Sequence, residues 1–358
     1  MKNLSSWLLL VCVVITSCNN NFQLSVHFPN HDFDGKKAYL TNYDSGDTID
    51  SETVIEKQLI LDGNVDSAFF ARLIFENNRL DLVIEEGEID VEWGVDLKIT
   101  GTPLNEKFNG IVRQLDRFEQ EWQNIARLKQ NNEISDAEAQ RREDVRKTNL
   151  LNCLFNNYLA NKDNPIGEWA FTQYVVEGDF TPSELELVLK KVPKRYLKLK
   201  RVQKAVNNAD AQEKTSEGKK YVDFEVKTSD GNVERLSQYA GDGVNYTLLY
   251  FWASWCSSCQ KEISSPVAYL YDEYKDNGLK IIGVALWDEP SATQKYIQEY
   301  SIPWHSMVGD KKLSEPADIY GISGIPYAIL ISPDGTIVAR GMNGDALIER
   351  VEGLLNSK

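Results

Sequence analysis

Cysteine and histidine are scarce in this chain, with five and three respectively in 358 residues, and each scarcity excludes a class of protein. Cys12 and Cys18 lie in the first eighteen residues, which leaves Cys153, Cys256 and Cys259 for the rest. Three are too few for a disulfide-stapled scaffold of this size. A structural zinc site needs four ligands. Beyond Cys256 and Cys259 the available Cys and His are Cys153, His27, His31 and His305, all isolated, so no metal and no other cofactor is expected. Basic residues are in deficit, 39 against 54 acidic, for a formal charge of −15. Nucleic acid is therefore excluded as a partner, because neutralising phosphates needs a basic face. After residue 20 no apolar run is long enough to cross a bilayer.

The N-terminus does carry a short apolar run. Lys2 is followed by Trp7 to Ile15 and then by Thr16-Ser17-Cys18, the layout of a secretory signal. Ile15-Thr16-Ser17-Cys18 resembles the bacterial lipobox, in which the cysteine becomes the lipidated first residue. The expectation is a signal peptide over 1–17 and a lipidated tether over 18–22. The protein would then face the periplasm in a bacterial cell envelope, anchored to a membrane it does not span.

Short β-prone runs fill 23–102: alternating Phe22, Leu24, Val26 and Phe28, then 37–40, 58–61, 68–75, 80–84, 89–93 and 97–100. Turns such as Asp62-Gly63 and Glu86-Gly87 punctuate them. The pattern predicts an antiparallel β-sandwich-like domain. Over 103–210 the period becomes helical, with Phe108, Ile111, Leu115, Phe118 and Trp122 in one stripe and Val145, Leu151, Leu154, Phe155 and Tyr158 in another. These stripes are read as core, and Cys153 among them as a buried, inert thiol. Polar residues 211–220 read as a linker. From 221 to 358 strands alternate with helices and end in a hairpin and a helix. That order predicts an α/β domain with a mixed central sheet and helices on both faces.

Phe251-Trp252-Ala253-Ser254-Trp255-Cys256-Ser257-Ser258-Cys259 closes the apolar run 246–251 and opens a helix predicted over 256–274. At that boundary unpaired amides and the positive end of the helix dipole stabilise a thiolate. Cys256 would sit accessible in the first turn, with Cys259 one turn later, pointing back within disulfide reach. Such a pair can attack a disulfide and then resolve the mixed disulfide.

Residues from about 220 to 356 resemble the TlpA/ResA-like branch of the thioredoxin superfamily. The resemblance rests on the cysteine segment, on Gly324-Ile325-Pro326-Tyr327 and on the Pro333-Asp334-Gly335 hairpin. It implies a thioredoxin fold and thiol:disulfide oxidoreductase activity. It assigns Cys256 as the attacking thiol and Cys259 as the buried resolving thiol, joined as a redox-active disulfide in the oxidised state. Glu262 falls where this branch keeps an acidic group able to take the Cys259 proton. The resemblance further implies that Pro326 is cis, that the backbone at Ile325 pairs with substrate, and that Trp255 shapes the rim. The implied partners are protein dithiols and disulfides, with an upstream membrane electron donor if the protein is a reductant. The strand-rich segment with Ile99-Thr100-Gly101-Thr102 resembles an uncharacterised domain fused ahead of such thioredoxins in envelope lipoproteins.

Two departures matter. The aspartate that many cytoplasmic thioredoxins carry six residues before the first cysteine is Tyr250 here, and the dipeptide between the cysteines is Ser-Ser. Neither fixes the direction of electron flow. An alternative function is a partner-binding envelope protein whose thioredoxin-like domain is redox-inert or sensing. Peroxide reduction would place a threonine three residues before Cys256, and that residue is Ala253.

Overall fold

A computed structural model describes residues 20–94 and 97–356. The expected signal segment and Cys18 lie outside the described residues. The chain divides into two compact units: one runs to Gly178 and takes in Leu199–Arg201, and the other comprises Asp179–Lys198 and Val202–Lys358.

The described residues of the first unit begin with eight strands: β1 (Asn21–His27), β2 (Lys37–Asn42), β3 (Thr48–Thr53), β4 (Gln58–Asn64), β5 (Phe69–Phe75), β6 (Asn78–Ile84), β7 (Gly87–Glu92) and β8 (Lys98–Thr100). They form two four-stranded sheets, ordered β4-β1-β7-β8 and β3-β2-β5-β6. Alternation builds them. Phe22, Leu24 and Val26 are buried while Asn21 and Gln23 are exposed, so one face of β1 goes to a shared core. The sheets are antiparallel, as expected, except that β1 runs parallel to β7. Those two strands are far apart in sequence, so no hairpin constrains their direction. On the outer face Arg72 and Asp81 stand opposite each other and make a two-pronged pair at 2.6 and 2.9 Å, the geometry that favours arginine. Strand β3 is exposed or half-buried throughout and carries no apolar alternation to announce it.

Three helices complete this unit: α1 (Pro103–Gln130), α2 (Asp136–Asn161) and α3 (Pro165–Glu177). Phe108 meets Phe70 edge-on at 4.9 Å and Trp169 stacks on it at 5.4 Å, which fixes α1 and α3 on β5. Buried Asn105 ties α1 to β6, its amide donating to the Val83 carbonyl at 2.7 Å and accepting the Val83 N–H at 2.9 Å. The stripes are core only in part, since Trp122 and Val145 stay 48% and 61% exposed. The 28 residues of α1 extend for about 42 Å, well past a seven-residue strand, so its distal turns leave the sheet behind. Cys153 is half-buried rather than buried. Its thiol lies 3.4 Å from Gln114 Oε1, and burial raises its pKa.

The second unit holds α4 (Pro182–Leu189), most of α5 (Lys200–Lys214), β9 (Glu225–Lys227), β10 (Val233–Arg235), β11 (Tyr246–Trp252), α6 (Ser257–Glu262), α7 (Ala268–Tyr274), β12 (Leu279–Ala285), α8 (Pro290–Glu299), β13 (His305–Met307), α9 (Glu315–Tyr320), β14 (Tyr327–Ile331), β15 (Ile337–Arg340) and α10 (Gly344–Leu355). Its five-stranded sheet is ordered β13-β12-β11-β14-β15; β11, β12 and β13 are mutually parallel, and β14 runs antiparallel to both of its neighbours, β11 and β15. This is the mixed sheet of a thioredoxin fold. The apolar run on β11 is buried on both sides: Leu248, Tyr250 and Trp252 face one core, Leu249 and Phe251 the other.

Three expectations need correction. The helical segment expected over 103–210 is shared between the two units, because the apolar faces of α1 and α3 are taken by the sandwich. Residues 211–220 are not a free linker. Helix α5 continues to Lys214, Thr215 is buried, and Lys220 bridges to Thr336. Arg340 explains why: its guanidinium donates to the carbonyls of Gln212, Thr215 and Tyr320 at 3.2, 2.8 and 2.8 Å. Gly321 lets α5 approach, with φ +64° and the Asn208 carbonyl where a Cβ would stand. Finally, the single helix expected over 256–274 is broken. Pro266 lacks an N–H and disfavours a helical Ser265, whose φ and ψ are −171° and 99°. A wide π turn over Ile263–Val267 joins α6 to α7.

Candidate functional site

Strand β11 ends at the middle of its sheet, and the next four residues turn the chain into α6. Cys256 is the N-cap of that helix, with extended backbone, and its Sγ accepts the Cys259 N–H at 3.1 Å. Cys256 and Cys259 are joined by a disulfide with their Cα atoms 5.2 Å apart. Ser258 Oγ lies 3.3 Å and the Ile325 carbonyl oxygen 3.8 Å from Cys256 Sγ. Cys256 is 5% exposed and Cys259 fully buried, so the first cysteine is less open than the sequence suggested. The Ile325 loop lies against it. The Ile325–Pro326 peptide bond is cis. Trp255 stays 60% exposed, its indole N–H donating to the Trp287 carbonyl at 3.2 Å.

The expected site residues Trp255, Cys256, Cys259, Glu262, Ile325 and Pro326 therefore come from two places: the β11–α6 junction and the loop before β14. Glu262 ends α6, on the same face as Cys259 by its three-residue spacing. Burial pushes the Glu262 carboxyl above its ordinary range, partly offset by hydrogen bonds from the Gly344 amide and the Tyr250 hydroxyl.

Two contributors were not singled out from the sequence. In sequence Tyr250 stands only where many thioredoxins carry an aspartate, yet its buried hydroxyl sits 3.3 Å from Glu262 Oε2 and 3.4 Å from the Cys259 carbonyl oxygen. Burial and the neighbouring Glu262 hold this phenol far above its ordinary pKa. Asp288 follows β12. It is 6% exposed and accepts the Ser254 N–H at 2.6 Å, the Glu289 N–H at 2.9 Å and the Thr293 hydroxyl at 2.8 Å. The available signal was Glu289-Pro290, since proline favours the first helical position. It places the start of α8 at Pro290, two residues past Asp288 and one residue earlier than the Ser291 start that the sequence suggested.

Among the described residues no group of three or more His, Cys, Asp or Glu is placed to hold a metal ion, and no helix is long and apolar enough to cross a membrane.

Comparison with known proteins adds relatives to this geometry. The AhpC/TSA family matches residues 218–340, and a domain of unknown function, DUF4369, matches residues 22–108. The thiol-disulfide oxidoreductase ResA of Oceanobacillus iheyensis is 33% identical over 138 residues, which is 37% of this chain and 68% of that protein. ResA of Bacillus subtilis is 29% identical over 126 residues, 35% of this chain and 67% of its own length. The thioredoxin domain of a Bacteroides vulgatus thiol-disulfide oxidoreductase is 30% identical, with a TM-score of 0.35 over 39% of this chain and 98% of that one. With its paired cysteines at a strand-to-helix junction and this kinship to ResA, the chain belongs to the ResA-like thiol-disulfide oxidoreductases.

Proposed function

We propose that the protein is a membrane-anchored reductant of disulfides in envelope proteins, working through Cys256 and Cys259. The observation that carries this reading is the disulfide at the start of α6, with the Cys259 N–H aimed at Cys256 Sγ. On reduction that N–H, the Ser258 hydroxyl and the helix dipole all favour a Cys256 thiolate.

In the first step the Cys256 thiolate attacks one sulfur of a substrate disulfide. A mixed disulfide forms and the other substrate sulfur leaves as a thiolate. In the second, Cys259 gives its proton to Glu262 and attacks Cys256 Sγ. The bond between Cys256 and the substrate breaks, and its electron pair leaves with the substrate sulfur. The Cys256–Cys259 disulfide is the oxidised product, and two electrons have passed to the substrate. The backbone of the Ile325–Pro326 loop lies beside Cys256 and is suited to align an extended substrate segment, with exposed Trp255 on the rim. An upstream membrane dithiol donor would re-reduce the pair, and lipid on Cys18 would hold the protein at the periplasmic face of its membrane.

Insulin reduction by the native protein and by its Cys256→Ser and Cys259→Ser variants tests the activity. Turnover should require both cysteines, and cysteine-independent turnover or none would overturn the reading. The reduction potential of the pair decides the direction. A value near that of thioredoxin supports a reductant, and one near that of DsbA an oxidant. Cys18→Ser should release the protein from the membrane fraction.

A further inference from the structure

Tyr250 has two acceptors within reach and one proton to give. Its ring is fully buried and belongs to the same core as Cys256 and Cys259. Its hydroxyl stands 3.3 Å from Glu262 Oε2 and 3.4 Å from the Cys259 carbonyl oxygen. A phenol donates one hydrogen bond and can also accept, so it cannot serve both acceptors fully at once. Which one it serves follows from the state of Glu262. An ionised carboxylate only accepts, and it takes the phenol proton in a charge-assisted bond. A protonated carboxyl has an O–H of its own, which can donate to the phenol oxygen. The phenol O–H is then released to the Cys259 carbonyl, which accepts the Ile263 N–H and keeps a second lone pair.

We propose that Tyr250 is a positioning residue for the resolving step: its hydroxyl holds the Glu262 carboxyl beside the turn that carries Cys259 and partners it in both protonation states. A half-buried carboxyl that gains and loses a proton in every cycle would otherwise lack a buried partner in one state, at a cost to that state. Tyr250 is not itself the base, because its surroundings keep the phenol protonated. The other groups acting on this pair are few. The Gly344 amide of α10 binds Glu262, and Tyr296 of α8 acts on Tyr250. Lys261 beside Glu262 and Asp345 in the first turn of α10 are the charged neighbours, and both are exposed.

This inference rests on Glu262 receiving the Cys259 proton, and the test separates the two claims. The reduced full-length protein is mixed with 5,5′-dithiobis(2-nitrobenzoic acid), and thionitrobenzoate release is followed against pH. The first phase reports attack by Cys256 and the second reports resolution by Cys259. In the native protein the second phase should rise with pH through one ionisation, and Glu262→Gln should abolish that ionisation. Tyr250→Phe should move it up by about one pH unit, the size expected for losing a hydrogen bond to a charged acceptor. In the Glu262→Gln background, Tyr250→Phe should add nothing. An unmoved ionisation in Tyr250→Phe, with Glu262→Gln behaving as expected, overturns the role of Tyr250 alone. A pH effect of Tyr250→Phe that persists without Glu262 does the same. An ionisation that survives Glu262→Gln overturns the Glu262 assignment and this inference with it.

Discussion

Asp288 Oδ2 accepts the backbone N–H of Ser254 at 2.6 Å, so a residue three positions beyond the end of β12 fixes the loop leading into Cys256. The same carboxylate holds the start of α8 through Glu289 and Thr293. From the other side the Gln260 side-chain amide donates to the Ser254 carbonyl at 2.6 Å. The turn between strand and helix is thus held at both its N–H and its C=O.

Asp288→Ala should strand the Ser254 amide and the Thr293 hydroxyl in a buried site. The expected loss is about 2 kcal/mol of stability, read by urea denaturation, with slower exchange at Cys256 than in Asp288→Asn, which keeps one acceptor oxygen. Equal stability of Asp288→Ala and the native protein would remove Asp288 from this role.

Glu262 predicts an unusual pH dependence of stability. Burial raises its folded-state pKa above the ordinary 4.5, so over the interval between those values the folded protein holds a proton the unfolded chain has lost. The contribution is fully present below about 4.5 and is lost as pH rises through the raised value. Glu262→Gln should remove this decline and melt at a higher temperature than the native protein at pH 7, while resolving mixed disulfides more slowly. Thermal melts from pH 4 to 8 check it, and parallel curves for the two proteins would contradict it.

Arg340 should matter more than an exposed arginine would. Besides the carbonyls of α5 and α9 it donates to the Tyr327 hydroxyl at 3.0 Å. Arg340→Ala should cost about 2–3 kcal/mol through unpaired acceptors and should open residues 211–220 to limited proteolysis. Arg340→Lys, with a single ammonium in place of the planar fork, should recover only part. An unchanged cleavage pattern in Arg340→Ala would show that the segment is held by other contacts.

In the first unit Asn105 is the fully buried side chain that joins α1 to β6. Asn105→Ala leaves the N–H and C=O of Val83 without that partner and should cost about 1–3 kcal/mol, measured by chemical denaturation. Asn105→Asp should fare no better at neutral pH, because a carboxylate cannot donate to the Val83 carbonyl.

Much of this architecture is legible in one dimension because its signals are local. The alternation of Phe22, Leu24 and Val26 announces β1. The nearly continuous apolar run from Tyr246 to Phe251 announces a strand covered on both faces, and the cysteines follow at a strand-to-helix junction that suits a thiolate. The failures have equally local causes. Strand β3 has no apolar period, the hairpin of β9 and β10 is only three residues a side, and Pro266 breaks a helix whose apolar period runs on past it.

The amino-acid order by itself determined the strand-rich and the α/β regions, the pair of cysteines at a strand-to-helix junction and the place of Glu262 one turn beyond it. Only the tertiary structure decided what surrounds them. Tyr250 meets Glu262 across 12 residues, Asp288 meets Ser254 across 34, and Arg340 reaches Gln212 across 128. A hydrogen bond needs its partners within about 3 Å at the right angle, and no periodicity in sequence encodes which distant polar groups will meet that condition. Tyr250, which in sequence stands only as the absence of an aspartate, becomes in three dimensions the side chain that touches both the glutamate and the turn of Cys259.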